Sequence, residues 1–190
     1  MQHSVKIPKK MKLDFLHKIP LEVNASGVDT HLVIQINAQT VFEKTYAPGP
    51  HTDIVQFSFA YDNSVKNKME FVWTGKEEVA NKHLRIRNIE INKQVLNLYN
   101  AEYFPNINND WWQSLSNEEI DHYEEIIYGK TGNTFGWYGS INLYYCTGVD
   151  LRARYEYNNL DNDTRKLLHE GKNWIFANKD DAKIHHKSIS

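Results

Sequence analysis

HLRIRNIEINKQVL, His83 to Leu96, is the stretch whose reading decides the fold. Its first half alternates. Leu84 and Ile86 point one way; His83, Arg85 and Arg87 point the other. Then the phase slips, because Ile89 and Ile91 are odd-numbered. A slip of one residue would turn the core face of a strand to water. One extra residue at Arg87-Asn88 repairs this as a β-bulge, returning Ile89 and Ile91 to the face that holds Leu84 and Ile86. Asn92-Lys93 then turns the chain into QVLNL, 94–98. Bulges bend strands, so the stretch predicts a curved antiparallel sheet with His83, Arg85 and Arg87 on its solvated side.

The same alternation recurs upstream. LVIQIN, 32–37, sets Leu32, Ile34 and Ile36 on one face. A turn at Ala38-Gln39 leads into TVFEKTY, 40–46. APGPH, 47–51, breaks the ladder with two prolines and a glycine. DIVQFSFAY, 53–61, and KMEFVW, 68–73, each carry an apolar face, with YDNSVKN, 61–67, as the turn between them. With LEV, 21–23, this makes seven or eight short strands about 8–12 residues apart. Such spacing predicts an antiparallel sandwich rather than βαβ units.

Beyond Leu98 the texture changes. YNAEYFPNINNDWWQSL, 99–115, is aromatic and rich in asparagine. Ser116 and Glu119 then form a capping box, with Leu115 and Ile120 as the flanking apolar pair. A helix is predicted over 117–128, stopped by Gly129. GKTGNTFGWYG, 129–139, reads as a glycine-rich loop. Strands are predicted at 139–146 and 151–157, and a short helix at 162–170. KNWIF, 172–176, offers apolar residues to dock back. The organisation is thus a basic arm at 1–20, a jelly-roll-like β-sandwich at 21–98, a C-terminal aromatic α+β extension at 99–176, and a tail at 177–190.

The chain has 190 residues, 41% hydrophobic and 24% charged, which suits one globular domain with a core. No apolar run approaches a membrane span and no secretory signal is read. One cysteine, Cys146, leaves no internal disulfide framework. The net charge of -2 makes nucleic acid an unexpected partner. Residues 1–20 nevertheless hold five lysines against one aspartate. Lys6, Lys9, Lys10 and Lys12 are therefore candidates for an arm that binds an acidic partner.

No catalytic motif stands out. The acidic run Glu118, Glu119, Asp121, Glu124 and Glu125 fits the first turns of a helix, where carboxylates complement the dipole. Gly129-Lys130-Thr131 lacks the upstream glycine of a phosphate loop. Asp161 to Arg165 opens like a calcium loop, but Lys166 and Lys172 stand where glycine and glutamate are needed. The histidines show no ligand spacing. The aromatics are the more informative set, since 13% of the chain is Phe, Trp or Tyr. Trp111 and Trp112 follow Tyr103 and Phe104, and Trp137-Tyr138 sit among glycines. These rings serve as core, as interface anchors or as ligand platforms. Tyr103, Trp111, Trp112, Trp137 and Tyr138 are the candidate ligand or interface residues.

INAQTVFEKTYA, then KMEFVW, then HLRIRNIEINKQVL resemble the strand cadence of the xylan-type, calcium-dependent carbohydrate-binding modules. The resemblance covers about a third of the chain. It implies a jelly-roll-like sandwich, a glycan ligand and calcium as cofactor, for which Asp53, Asp62, Glu77 and Glu78 are the acidic candidates. The whole chain, with its many Asn, Tyr and Ile, also resembles small β-rich proteins of tailed bacteriophages. That implies a non-catalytic structural module in a virion, oligomeric and bound to neighbouring virion proteins; without that likeness, the missing signal would place it in the cytoplasm. Two roles are thus expected: attachment within an assembly, or recognition of a surface glycan.

Overall fold

A computed structural model describes residues 12–25, 27–62, 67–76, 82–96, 98, 101–107, 109–128, 133–148, 162 and 174–176. The fold is a β-sandwich of two sheets, antiparallel but for one pair. Strand β1 (Lys12–Ala25) runs through the first sheet. It pairs along one edge with β4 (Gly49–Asp62), and along the other with β6 (His83–Ile86) and β7 (Glu90–Ile91). Two short strands complete this sheet: β8 (Gln94–Val95) on β7 and β10 (Thr134–Phe135) on β6.

The second sheet starts at β3 (Gln39–Tyr46) and continues through β2 (Thr30–Ile36), β5 (Asn67–Gly75) and β11 (Gly139–Gly148). The far edge of β11 carries β9 (Glu102–Pro105) antiparallel and β12 (Trp174–Phe176) parallel. Helices α1 (Asn109–Gln113) and α2 (Asn117–Tyr128) lie between β9 and β10 in the chain.

The bulge falls where the phase slip puts it. Leu21 faces Ile86, yet Lys18 faces Glu90. Ile19 and Pro20 therefore oppose three residues, Arg87, Asn88 and Ile89. Leu84, Ile86, Ile89 and Ile91 are all buried. The bulge also explains how a proline stands inside a central strand. The Arg87 N–H donates to the Pro20 carbonyl at 3.0 Å. In an extended strand a residue's nitrogen and oxygen point the same way, so the nitrogen of Pro20, which lacks a hydrogen, also faces the bulge. There the ladder is interrupted and asks for one donor fewer.

The basic arm expected over 1–20 is thereby corrected. Residues 12–20 are sheet, because Phe15, His17, Ile19, Leu21, Val23 and Ala25 alternate into the core. Lys12 belongs to β1; Lys6, Lys9 and Lys10 lie outside the described residues. The boundary expected at 98/99 is also moved. β9 and β11 belong to the second sheet and β10 to the first, so the sandwich extends well past Leu98. The KNWIF segment docks back as β12 on Cys146–Gly148. The strand expected at 151–157, the body of the helix expected at 162–170 and the tail fall outside the described residues.

Two turns carry positive φ at both central residues, Asn37-Ala38 and Asn92-Lys93. Both have the twist that suits tight hairpins. The first sits one residue earlier than the expected Ala38-Gln39. Arg85 and Arg87 both reach Glu22 on the outer face of the first sheet, a solvated strand face as expected.

The core lies between the sheets. Trp73, Phe71 and Met69 of β5, Leu32, Ile34 and Ile36 of β2, and Ile141, Leu143 and Tyr145 of β11 meet the buried face of β1 and β6. At one end a chain of polar atoms crosses the gap. His17 Nε2 lies 2.6 Å from the Tyr61 hydroxyl, which lies 2.6 Å from that of Tyr145. His17 Nδ1 lies 2.9 Å from the Phe15 carbonyl, which only accepts, so Nδ1 carries the proton and Nε2 accepts from Tyr61. Tyr61 in turn accepts from Tyr145. Phe57 stacks on the imidazole at 4.6 Å. At the β3–β4 edge of the sandwich, Lys44 reaches Asp53 at 2.6 Å and ties one sheet to the other.

Helix α2 begins as its sequence requires. The Ser116 N–H donates to Glu119 Oε2 at 2.9 Å, and the Glu119 N–H donates to Ser116 Oγ at 3.3 Å. The Ser116 N–H, and then its hydroxyl at 2.8 Å, donate to the Glu119 carboxylate and hold it below its ordinary range. Ser116→Ala is expected to cost about 1 kcal/mol of helix stability, read as faster amide exchange across 117–123 with the sandwich unchanged.

Candidate functional site

Each sheet has an inner and an outer face, and the register assigns every side chain to one of them. On the second sheet the buried residues take alternate positions, so their neighbours face outward. Across that outer face one row runs Val33, Val72, Ser140, Phe104. The next runs Gln35, Glu70, Asn142, Glu102. Thr74 and His31 stand side by side above the first row. Lys68 and Tyr144 stand side by side below the second.

The upper part of this face is hollowed into an open pocket of about 370 Å³. Val72 and Thr74 of β5, Ser140 of β11, and Phe104, Pro105 and Asn106 line it. The Asn106 N–H donates to the Tyr138 carbonyl at 2.6 Å and fixes the rim. Phe104 is the exposed ring, 54% accessible. A ring left in water beside a groove of hydroxyls and amides is an apolar platform with polar neighbours.

Two glycines shape the floor. Gly139 has φ near +151°, and a side chain there would strike the Phe104 carbonyl. The pair Gly139↔Pro105 brings β9 tight against β11 and seats Phe104 at the groove. Gly75 has the Tyr138 ring lying across it.

The lower row is electrostatically distinct. Lys68 Nζ lies 2.9 Å from Glu70 Oε2. The Tyr144 hydroxyl donates to Glu102; burial, then this carboxylate, pushes the phenol up. Between the two glutamates sits Asn142, 7% exposed, whose Oδ1 is buried without a hydrogen-bond partner. Such an atom costs roughly 1–3 kcal/mol unless something donates to it.

The residues expected to bind fall in several places. Tyr138 packs against Trp73, ring centroids 4.7 Å apart, and from this buried position it also lines the pocket. The Tyr103 hydroxyl donates to the Trp137 carbonyl at 2.6 Å and accepts from the Trp137 N–H at 3.0 Å. Tyr103 is thus a strut that holds the loop of Trp137. Trp111 packs edge-to-face on Trp112 at 6.1 Å and on Tyr123 at 5.2 Å, and Tyr123 packs on Trp137 at 6.0 Å. These half-buried rings join α1 and α2 to the loop before β11. Of the expected rings, Tyr138 is the one that lines the groove, together with the exposed Phe104.

Sequence reading missed Glu70, Glu102, Ser140 and Asn142. Period-two alternation marks each as outward, but only the cross-strand register makes them neighbours. As for calcium, the Asp53 carboxylate accepts from Lys44, from Tyr46 at 3.2 Å and from the Ile54 N–H at 3.0 Å. Lys44 chiefly holds it below the usual carboxylate range. Its oxygens are committed, so Asp53 does not fit a calcium ligand. Glu77 and Glu78, and the side chain of Asp62, lie outside the described residues. Among the described residues no three acidic, histidine or cysteine side chains gather to hold a metal.

Fold and site define an antiparallel β-sandwich domain with a partly apolar, partly polar groove on one sheet face. No known protein-family model matches the sequence, and no curated protein matches it. Among solved structures, the SeMet form of vCBM60 is similar. It is described within work linking two families of calcium-dependent carbohydrate-binding modules by circular permutation. The two share 15% identity with a TM-score of 0.33, over 66% of this chain and 88% of that one. A likeness that distant carries no argument about this chain.

Proposed function

We propose that the domain is a non-catalytic glycan-binding module whose ligand lies on the outer face of the second sheet. One observation supports this above all. The exposed Phe104 ring stands over a pocket edged by Thr74, Ser140 and Asn106, with the row Gln35, Glu70, Asn142, Glu102 beside it. A pyranose needs an apolar surface for its C–H face and a ring of hydrogen-bonding groups for its hydroxyls, and this face offers both. Of the two roles expected from the sequence, the geometry thus favours glycan recognition over attachment within a virion.

Phe104→Ala tests the reading. The side chain is mostly in water, so the fold should survive with a melting temperature within a few degrees. Binding to a glycan that scores on an array should fall by about tenfold or more, the loss of one stacking platform. An array blank for the unmodified protein would sink the proposal.

A further inference from the structure

The first sheet ends on a long strand. β4 runs 14 residues, and among the described residues it pairs with β1 alone. The Asn92 and Arg87 N–H groups donate to the Leu16 and Pro20 carbonyls, so even-numbered residues of β1 turn their backbone toward β6 and β7. Odd-numbered residues of β1 turn theirs toward β4, where they meet odd-numbered partners such as Phe57 and Phe59. Thr52, Ile54, Gln56, Ser58 and Ala60 therefore turn N–H and C=O away from the sheet. Asp53 Oδ1 accepts from the Ile54 N–H at 3.0 Å and caps that part of the edge. Beyond it, the backbone groups of Gln56, Ser58 and Ala60 have no partner among the described residues.

Long edges are normally broken by charge or proline. β3, the edge of the second sheet beside β4, carries Glu43 and Lys44. The run IVQFSFA, 54–60, has no charge, no proline and no glycine. On its inner side Phe57 and Phe59 are only half-buried. The run is also self-complementary. Turned about a twofold axis at Phe57, a second copy sets Phe57 against Phe57 and Val55 against Phe59 on the inner face. On the outer face Gln56 meets Ser58 and Ile54 meets Ala60. Gln56 and Ser58 then exchange backbone hydrogen bonds, and the two Phe57 residues take the close, non-hydrogen-bonded position. No like charges meet, and each row matches in kind. We infer that the chain forms a twofold dimer by antiparallel pairing of β4 with β4 of a second copy, which joins the two first sheets into one. The pocket lies across β5, β11 and β9, on the far side of β2 and β3 from this edge, so the dimer presents two open grooves.

Sedimentation velocity from micromolar to millimolar protein should show a reversible monomer–dimer equilibrium. The Gln56 and Ser58 amides should exchange more slowly with solvent as the dimer fills. Ser58→Pro removes an N–H that the β1 ladder does not use. The double variant Gln56→Lys with Ser58→Lys changes two exposed side chains and sets ammonium groups directly opposite one another across the pair. Each should keep the fold and raise the dimer dissociation constant by about tenfold or more, because the axis imposes every change twice. Phe104→Ala should leave the dimer intact. A chain that stays monomeric to millimolar concentration overturns the inference. So does a dimer that survives the two lysines, or one in which the Ser58 amide exchanges at the monomer's rate. A dimer lost in Phe104→Ala would put the contact at the groove and overturn it as well. None of these outcomes touches the glycan reading, which the array decides.

Discussion

Gly139→Ala should be the most damaging small substitution in the sandwich, lowering stability by roughly 3 kcal/mol or more. Two costs add. A φ near +151° is open to glycine and strained for any L side chain. The new methyl would also fall on the Phe104 carbonyl oxygen and within 2.9 Å of the Pro105 Cα. Both are backbone atoms of β9 and cannot rotate aside. Relief requires β9 to peel from β11, which would break the Ser140↔Phe104 and Asn142↔Glu102 neighbours together. The variant should therefore unfold at lower urea and lose ligand binding at once. A urea midpoint within the error of the unmodified protein would refute this account of the β9–β11 contact.

The second large effect concerns acid. His17 is fully buried and its pKa is lowered to about 4, chiefly by loss of hydration. Its backbone hydrogen bonds, to Phe15 and Phe57, pull the other way and do not offset that. The unfolded chain holds this imidazole near the ordinary value of about 6.5, so between the two values the unfolded state binds the extra proton. The stability from the neutral ring is fully present above pH of about 6.5. It falls as pH drops toward 4, by about 3 kcal/mol in total. Denaturant unfolding at steps of pH should show that slope. In His17→Gln the slope should vanish over the same window, while losses from carboxylates such as Asp53, whose value is lowered, remain at more acid pH. A slope that persists in His17→Gln would assign it to another group.

Much of the sandwich was legible because alternation survives wherever one face is buried. Leu32–Ile36, Met69–Trp73 and the bulged run from Leu84 to Ile91 all read correctly. β1 alternates as clearly, with Phe15, His17, Ile19 and Leu21 in phase. It was hidden by its lysines and by Pro20, which argues against a central strand until the bulge opposite it is known. Ser116 and Glu119 marked α2 because a capping box is local chemistry. The site was legible only in type. Aromatics near 103–112 and 137–138 pointed to the right part of the chain. Yet of the rings that drew attention, Trp111 and Trp112 brace the structure, Tyr138 lines the pocket from a buried position, and the exposed ring is Phe104. Glu70, Asn142 and Glu102 come from strands far apart in sequence, and no local pattern makes them a row.

The placement of β1 carries a consequence for synthesis. It is a central strand, yet it is made before every partner. Its first ladder, to β4, waits for both β2 and β3, which leave to join the other sheet. Its second edge waits longer: Leu16 bonds to Asn92 across a separation of 76 residues. Until then its backbone donors and acceptors stand open on that side. Long-range closure of this kind slows folding and leaves unpaired edges exposed. Pro20 interrupts that open edge near its middle. The residue that looks like a defect in the finished sheet would make the waiting strand a poor template for a neighbouring nascent chain.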